Sequence, residues 1–418
     1  MVSRWHAVRI LTRVLSDQVA LDEALAAITA EVSPEQRGWL QEVCSGTLRW
    51  KGRLDWILDS AALKKKPSGW LRKVLLLAAY QLIAQDRTSA AAVVNETVSE
   101  VRKREGRAPS KFANALLRKI SEHATEWRNL KLTPQMKSKD AAAWASLPEW
   151  LWSMLVMQHG REWAESFAQA GLERPKLWVS AKSSEWTPSW GLKGPVPGSW
   201  ESVQKGAVQG REGFNDGQFI VQDISSQLLI HEVSEIVSSR LSLPASEKPQ
   251  ALDLCAAPGG KAVGLSWKGF QVYATDVNER RMVLLQDTVK RVAPEIAVVS
   301  FGEVEKLGAM DLVWVDAPCS GIGIIRRHPD VRWLRRENDL VSLQKLQQEV
   351  LLQGWQAVKP GGFLVYSVCS VLKQEGPEAI QRAGLAEAIQ KQWLLAPQIE
   401  PFGDGFWAAL LFKTPGAK

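Results

Sequence analysis

From about residue 250 the chain alternates short apolar runs with longer amphipathic ones, and this alternation constrains the fold more than any other feature. The runs at 251–255, 271–275, 296–301, 312–315, 362–367 and 406–412 have strand length and strand composition. Helical patterns between them imply βα units and a doubly wound parallel sheet. Open sheets of this kind bind ligands at the carboxyl ends of their strands. The residues at those ends therefore carry the functional reading.

The first strand runs into Cys255, then Ala256, Ala257, Pro258, Gly259, Gly260 and Lys261, a loop small enough for a ligand to approach the backbone. The second strand closes on Asp276, placed where an acid accepts hydrogen bonds from ribose hydroxyls. The loop is neither the G-x-x-x-x-G-K-[ST] phosphate cradle nor the G-x-G-x-x-G dinucleotide turn. An adenosine-containing cofactor without phosphates is expected, and S-adenosylmethionine is the common one.

The chain has 4 Cys and 5 His, with no C-x-x-C pair and no clustering of His with Cys, so no metal site is predicted. Cys44 and Cys255 read as buried free thiols. Cys319 follows Asp316-Ala317-Pro318 after the fourth strand, and Cys369 follows the fifth strand in Val368-Cys369-Ser370. Adjacent parallel strands would bring both thiols to the cofactor's cleft, where a thiolate is a candidate nucleophile. C5 of a cytosine reacts poorly with an electrophilic methyl group. Thiolate addition to C6 makes C5 enamine-like and able to attack it. Asp316 is placed to favour that addition by hydrogen bonding near N3 and N4. The chemistry requires one thiol and leaves open which of the two it is.

Residues 1–125 carry 20 Lys+Arg against 13 Asp+Glu, so the chain's entire formal excess of +7 lies in its first third. Such a concentration suits a polyanion partner, and it equally suits a soluble helical domain. Apolar spacing predicts helices throughout this region, with a helix start and capping box at Ser33-Pro34-Glu35-Gln36. Further helices are expected over 90–104 and 112–120. Between them Arg102, Lys103, Arg104, Arg107 and Lys111 form a basic turn in the same basic domain as Lys64–Lys66, whereas Leu63 continues the apolar spacing of Trp56, Ile57 and Ala61. Lys103 and Arg104 are candidate phosphate contacts.

Residues 126–200 hold nine of the 20 tryptophans and are expected to form short helices followed by an irregular extension. Trp is expected mainly to pack, cementing the junction between the two halves, rather than to stack bases. No run reaches 18 apolar residues, and Arg4, His6, Arg9 and Arg13 interrupt any leader-like core. A cytoplasmic monomer without membrane segments is expected.

The segments 253–261, 316–321 and 368–370 resemble the RNA cytosine-5 methyltransferases. The stretch 323–333 and the segment 222–227 narrow the resemblance to the RsmB/Sun branch, which acts on bacterial 16S rRNA. Segments 44–49 and 114–119 resemble the NusB-type domain of that branch. The resemblance covers essentially the whole chain. It implies an all-α NusB-like RNA-binding domain over 1–125, linker helices and an extension over 126–250, and an α/β Rossmann-like S-adenosylmethionine-dependent methyltransferase domain over 251–418.

The resemblance also implies roles. Cys369 attacks C6, and Cys319 aids product release. Asp276 holds the cofactor ribose, with Arg281, Glu303 and Asp316 beside the cofactor. The loop from Cys255 to Lys261 surrounds its methionine part, or Lys261 faces the active site. Arg326, Arg327, His328, Arg332 and Trp333 contact RNA. Several positions depart from the family pattern. Val368 replaces a Thr, Glu303 replaces an Asp, Gln374-Glu375-Gly376 replaces Glu-Glu-Asn, and Leu177-Trp178-Val179-Ser180 replaces Arg-x-Asn. None removes a core catalytic group. Rival readings are the same chemistry on tRNA or another RNA, a non-catalytic RNA-binding assembly factor, and, more distantly, a DNA methyltransferase.

Overall fold

The computed structural model describes residues 4–62, 66–85, 88–133, 135–204, 206–244 and 246–416; Leu63, Lys64 and Lys65 lie outside them. The chain divides into two compact units: Met1–Arg174 with Ile325–Glu337, and Pro175–Ile324 with Asn338–Lys418.

The first unit is helical. It comprises α1 (Arg4–Leu15), α2 (Leu21–Ala26), α3 (Pro34–Ala61), α4 (Gly69–Ala84), α5 (Ala90–Glu105), α6 (Arg107–Glu122), α7 (Ala124–Arg128), α8 (Ser138–Ala145), α9 (Glu149–His159) and α10 (Arg161–Ala170). The capping box opens α3 as expected, with Gln36 accepting from the Ser33 amide. Apolar faces of α1, α3, α4, α5 and α6 build one core around Leu11, Cys44, Leu54, Leu76 and Leu117. The expected basic turn is instead the end of α5, the single residue Gly106 at φ 87°, and the first turn of α6. That φ is costly for any residue with a Cβ, which is why the break falls on glycine. Among the described residues no helix is long and apolar enough to cross a membrane.

The second unit holds two sheets. The expected irregular extension is in fact a small antiparallel sheet of β1 (Trp178–Ala181), β2 (Gly191–Lys193), β3 (Ser199–Ser202) and β4 (Phe219–Val221), ordered β2-β3-β1-β4. Trp190, Trp200 and Phe219 fill its core, with Trp186 against them. The nine tryptophans do not form one set. Trp144 and Trp152 are buried in the helical unit, and Trp178, Trp190 and Trp200 in this one.

The main sheet has seven strands: β5 (Gln250–Asp253), β6 (Gln271–Ala274), β7 (Ala297–Val298), β8 (Met310–Asp316), β9 (Val358–Val368), β10 (Ile389–Leu395) and β11 (Phe406–Phe412). Their order is β10-β11-β9-β8-β5-β6-β7. The five from β5 to β9 are parallel as expected. The other two depart from the all-parallel expectation: β11 runs antiparallel to β9, and β10 antiparallel to β11. Strand alternation gives the sheet two buried faces. Ala251, Leu312, Trp314, Val365 and Leu410 pack on one side, with α11 (Ile224–Arg240), α12 (Gly260–Trp267) and α13 (Glu279–Val292). Leu252, Val313, Val315, Leu364 and Leu411 pack on the other, with α14 (Asp339–Ala357) and α15 (Pro377–Arg382). Strand order reverses between β5 and β8, which places a crevice at their adjoining carboxyl ends.

Candidate active site

The loop after β5 is shaped by glycine. Gly259 caps α12 at φ 112°, and a Cβ there would sit 3.2 Å from Leu285 and 3.4 Å from Thr288. Asp276, at the end of β6, accepts from the amides of Asn278 at 2.9 Å and Ala257 at 3.3 Å. Arg281 lies 3.5 Å from the same carboxylate and also donates to the Ala257 carbonyl. Arg281 thus braces the loop against Asp276. Each carboxylate oxygen keeps acceptor capacity, and these acceptors suit the ribose hydroxyls of the expected cofactor. Glu303 is turned back onto its own turn, where it accepts from the Ser300 amide and hydroxyl. Those hydrogen bonds, the hydroxyl's first, hold its carboxyl below the usual range. A cofactor contact by Glu303 has to displace this cap.

Asp316 ends β8 in the crevice. Its Oδ1 accepts from Ser367 Oγ at 2.7 Å, and Ser367 Oγ in turn accepts from Trp314 Nε1 at 3.0 Å. Its Oδ2 accepts from Lys261 Nζ at 2.5 Å. Lys261 thus points at Asp316, a residue expected both beside the cofactor and in the active site. Burial pulls the Lys261 ammonium down, but the Asp316 charge and hydrogen bond outweigh it, and the net shift is upward. Asp253, wholly buried at the end of β5, is pushed by burial up to about 7, with the Lys261 charge opposing. Trp314 packs within the sheet, in line with the general expectation that tryptophan packs rather than stacks bases. It is fully buried there, and its indole also begins the hydrogen-bond chain to Asp316.

The two thiols meet. Cys319 Sγ lies 3.2 Å from Cys369 Sγ, and both are free and partly accessible. The hydrogen bond to Cys369, then burial and the nearby Cys369 and Glu375 charges, hold the Cys319 thiol well above its ordinary value. Cys319 is therefore held as a thiol in contact with its neighbour's sulfur. Cys255 is raised chiefly by burial and then by the Asp253 charge, and Cys44 by burial alone, so both stay thiols. Val368, before the nucleophile candidate, is fully buried opposite Trp407 of β11, and packing explains an apolar residue there.

The segment expected to contact RNA is folded into the helical unit. Arg332 is 0% exposed and donates to the carbonyls of Arg49, Ser146, Gly171 and Ile325. Both terminal nitrogens are engaged with carbonyls and the side chain has no exposed surface, which corrects its expected role as an RNA contact. Arg326 is buried and its carbonyl accepts from Arg49. Trp333 donates to the Leu48 carbonyl at 2.7 Å, with Lys51 over its ring. Arg327 is half-buried, and His328 faces Asp22 at 3.7 Å. In α5, Lys103 is exposed, whereas Arg104 lies over the Trp5 ring and pairs with Glu100.

Residues 1–122 match the NusB family, and residues 240–398 match the family described as 16S rRNA methyltransferase RsmB/F. Ribosomal RNA small subunit methyltransferase B of Shigella flexneri is 30% identical, covering 98% of this chain and 98% of that protein. The protein of that name from Escherichia coli O127:H6 is 31% identical with the same coverage. The crystal structure of PH0851 matches with a TM-score of 0.69 at 23% identity over 98% of both chains. NSun6 from Pyrococcus horikoshii with SFG matches with a TM-score of 0.53 at 14% identity, over 64% of this chain and 98% of that one. At these identities the two structures speak for the fold.

Proposed function

The chain belongs to the family of 16S rRNA methyltransferases RsmB/F, and from that premise we propose that it methylates C5 of a cytosine in 16S rRNA through a covalent bond between Cys369 and C6. S-adenosylmethionine, the methyl donor in this reading, supplies an electrophilic methyl group when bound. Asp276 and the loop from Cys255 to Lys261 would hold it, with Arg281 as their brace.

The observation that carries the reading is the Cys319–Cys369 contact beside Asp316. Cys369 Sγ adds to C6, and C5 takes the methyl group. The C5 proton then passes to a base and the Cys369–C6 bond breaks, restoring the aromatic ring and releasing Cys369 as a thiolate. Asp316, fixed by Ser367 and Lys261, accepts from the exocyclic N4 while the ring is attacked. Cys319 acts in release. Its hydrogen bond to Cys369 is the largest influence keeping it protonated, and that bond is lost once Cys369 is joined to carbon. Loss of that bond lets the Cys319 thiol ionise more readily once the adduct exists, so that its thiolate is available to take the C5 proton. Exposed Lys103 is assigned to the phosphate grip of the helical unit, and Arg327 and His328 remain RNA-contact candidates.

The test is transfer of labelled methyl from S-adenosylmethionine to undermethylated 16S rRNA, followed by mapping of 5-methylcytosine. Label at cytosine C5 of that RNA is expected. Transfer only to tRNA, or cofactor binding without transfer to any RNA, overturns the reading.

A further inference from the structure

Behind the two thiols lies a carboxylate that no step above uses. Glu375 is 0% exposed. Its Oε1 accepts from the Ser320 amide at 2.7 Å and from Gln347 Nε2 at 3.0 Å, and its Oε2 accepts from Ser320 Oγ at 2.5 Å. Ser320 directly follows Cys319, and its hydroxyl lies 3.3 Å from that of Ser370, which directly follows Cys369. The Tyr366 hydroxyl donates to the Glu375 carbonyl at 2.8 Å, and Gln347 also donates to the Pro318 carbonyl at 3.0 Å.

The donors on this carboxylate are a backbone amide, a hydroxyl and a side-chain amide. A buried charge held by neutral donors is costly compared with an apolar residue of the same volume. What the arrangement provides is geometry: one rigid side chain touches the residue after Cys319 and, through Ser320, reaches the residue after Cys369.

We infer that Glu375 is a positioning residue of the methyl transfer, locking the Cys319–Ser320 turn against the Cys369–Ser370 turn so that the two sulfurs meet. Its charge also acts on Cys319, adding to the effects of the Cys369 hydrogen bond and of burial in keeping that thiol protonated. The inference rests on the roles proposed above for Cys369 and Cys319.

Glu375→Gln keeps the shape but removes the charge and one acceptor. The variant is expected to bind S-adenosylmethionine as the parent does and to lose roughly tenfold in kcat with little change in KM for RNA. The pH midpoint for alkylation of Cys319 by iodoacetamide, followed on its peptide by mass spectrometry, should move down. In a Cys319→Ala background the same change should cause little further loss of single-turnover transfer. Parental kcat, an unmoved alkylation midpoint, or an equal loss in the Cys319→Ala background overturns the inference. Failure of Cys319→Ala alone to accumulate an RNA adduct instead overturns the underlying assignment of roles. Should Gln prevent folding, Ser320→Ala removes only the hydroxyl link and is read by the same alkylation and kcat measurements.

Discussion

Lys261 Nζ lies 2.5 Å from Asp316 Oδ2 and so ties the first turn of α12 to the end of β8, 55 residues apart in sequence. The pair is largely enclosed, with the lysine side chain 11% and the aspartate side chain 30% exposed. Breaking a buried pair from one side leaves an uncompensated charge, which costs about 3 kcal/mol or more. Lys261→Met and Asp316→Leu should each lower unfolding free energy by about that amount, and the double variant by much less than the sum. Denaturant unfolding of the three variants checks this. Full additivity would show that the pair has no coupling.

Arg332 should behave as a structural clamp. Burial and the neighbouring Arg49 charge push its guanidinium down to about 9, and four carbonyls hold it. Arg332→Met should cost about 3 kcal/mol of stability. Arg332→Lys should not rescue it, because three donors do not serve four carbonyls. The salt dependence of RNA binding should be unchanged. A fall in that slope by about 1 would place Arg332 on a phosphate.

Lys103 should show the opposite pattern. It is exposed at the basic end of α5. Lys103→Ala should weaken RNA binding with little loss of stability and lower the salt slope by about 1. Arg104→Ala should instead destabilise the helical unit by about 1 kcal/mol through its lost contact with Trp5.

The upward shift of Asp253 sets a pH dependence. An acid whose folded pKa lies above its unfolded value stabilises the fold fully below the unfolded value and loses that contribution as pH rises through the folded one. For Asp253 the window runs from its ordinary 3.8 to about 7. The parent should therefore lose stability between pH 5 and pH 8. Asp253→Asn should flatten that trend by an amount on the order of 2 kcal/mol, seen in denaturant midpoints at the two pH values. An unchanged slope in the variant contradicts the assignment.

The strand-end residues were legible because a parallel sheet leaves them nowhere else to be: Asp276, Asp316, Cys319 and Cys369 all stand where alternation put them. The strand β10 was not, since Gln390, Lys391 and Gln392 are exposed and give it no apolar signature. The small sheet was obscured by strands of three or four residues set among Pro, Gly and Trp. Arg332 stands in a run of basic residues, and charge alone does not distinguish a guanidinium that meets phosphate from one that meets carbonyls. Glu375 stood in a motif segment after Cys369, but its contacts with Ser320, which follows Cys319, arise only from folding.

The division of labour between the thiols is tested most directly by trapping. Cys319→Ala and Cys369→Ala proteins are incubated with S-adenosylmethionine and undermethylated 16S rRNA, and protein–RNA adducts are resolved on a denaturing gel. Cys319→Ala should accumulate a covalent adduct, and Cys369→Ala should form none and transfer no methyl group. An adduct in Cys369→Ala, with none in Cys319→Ala, would reverse the roles and contradict the account.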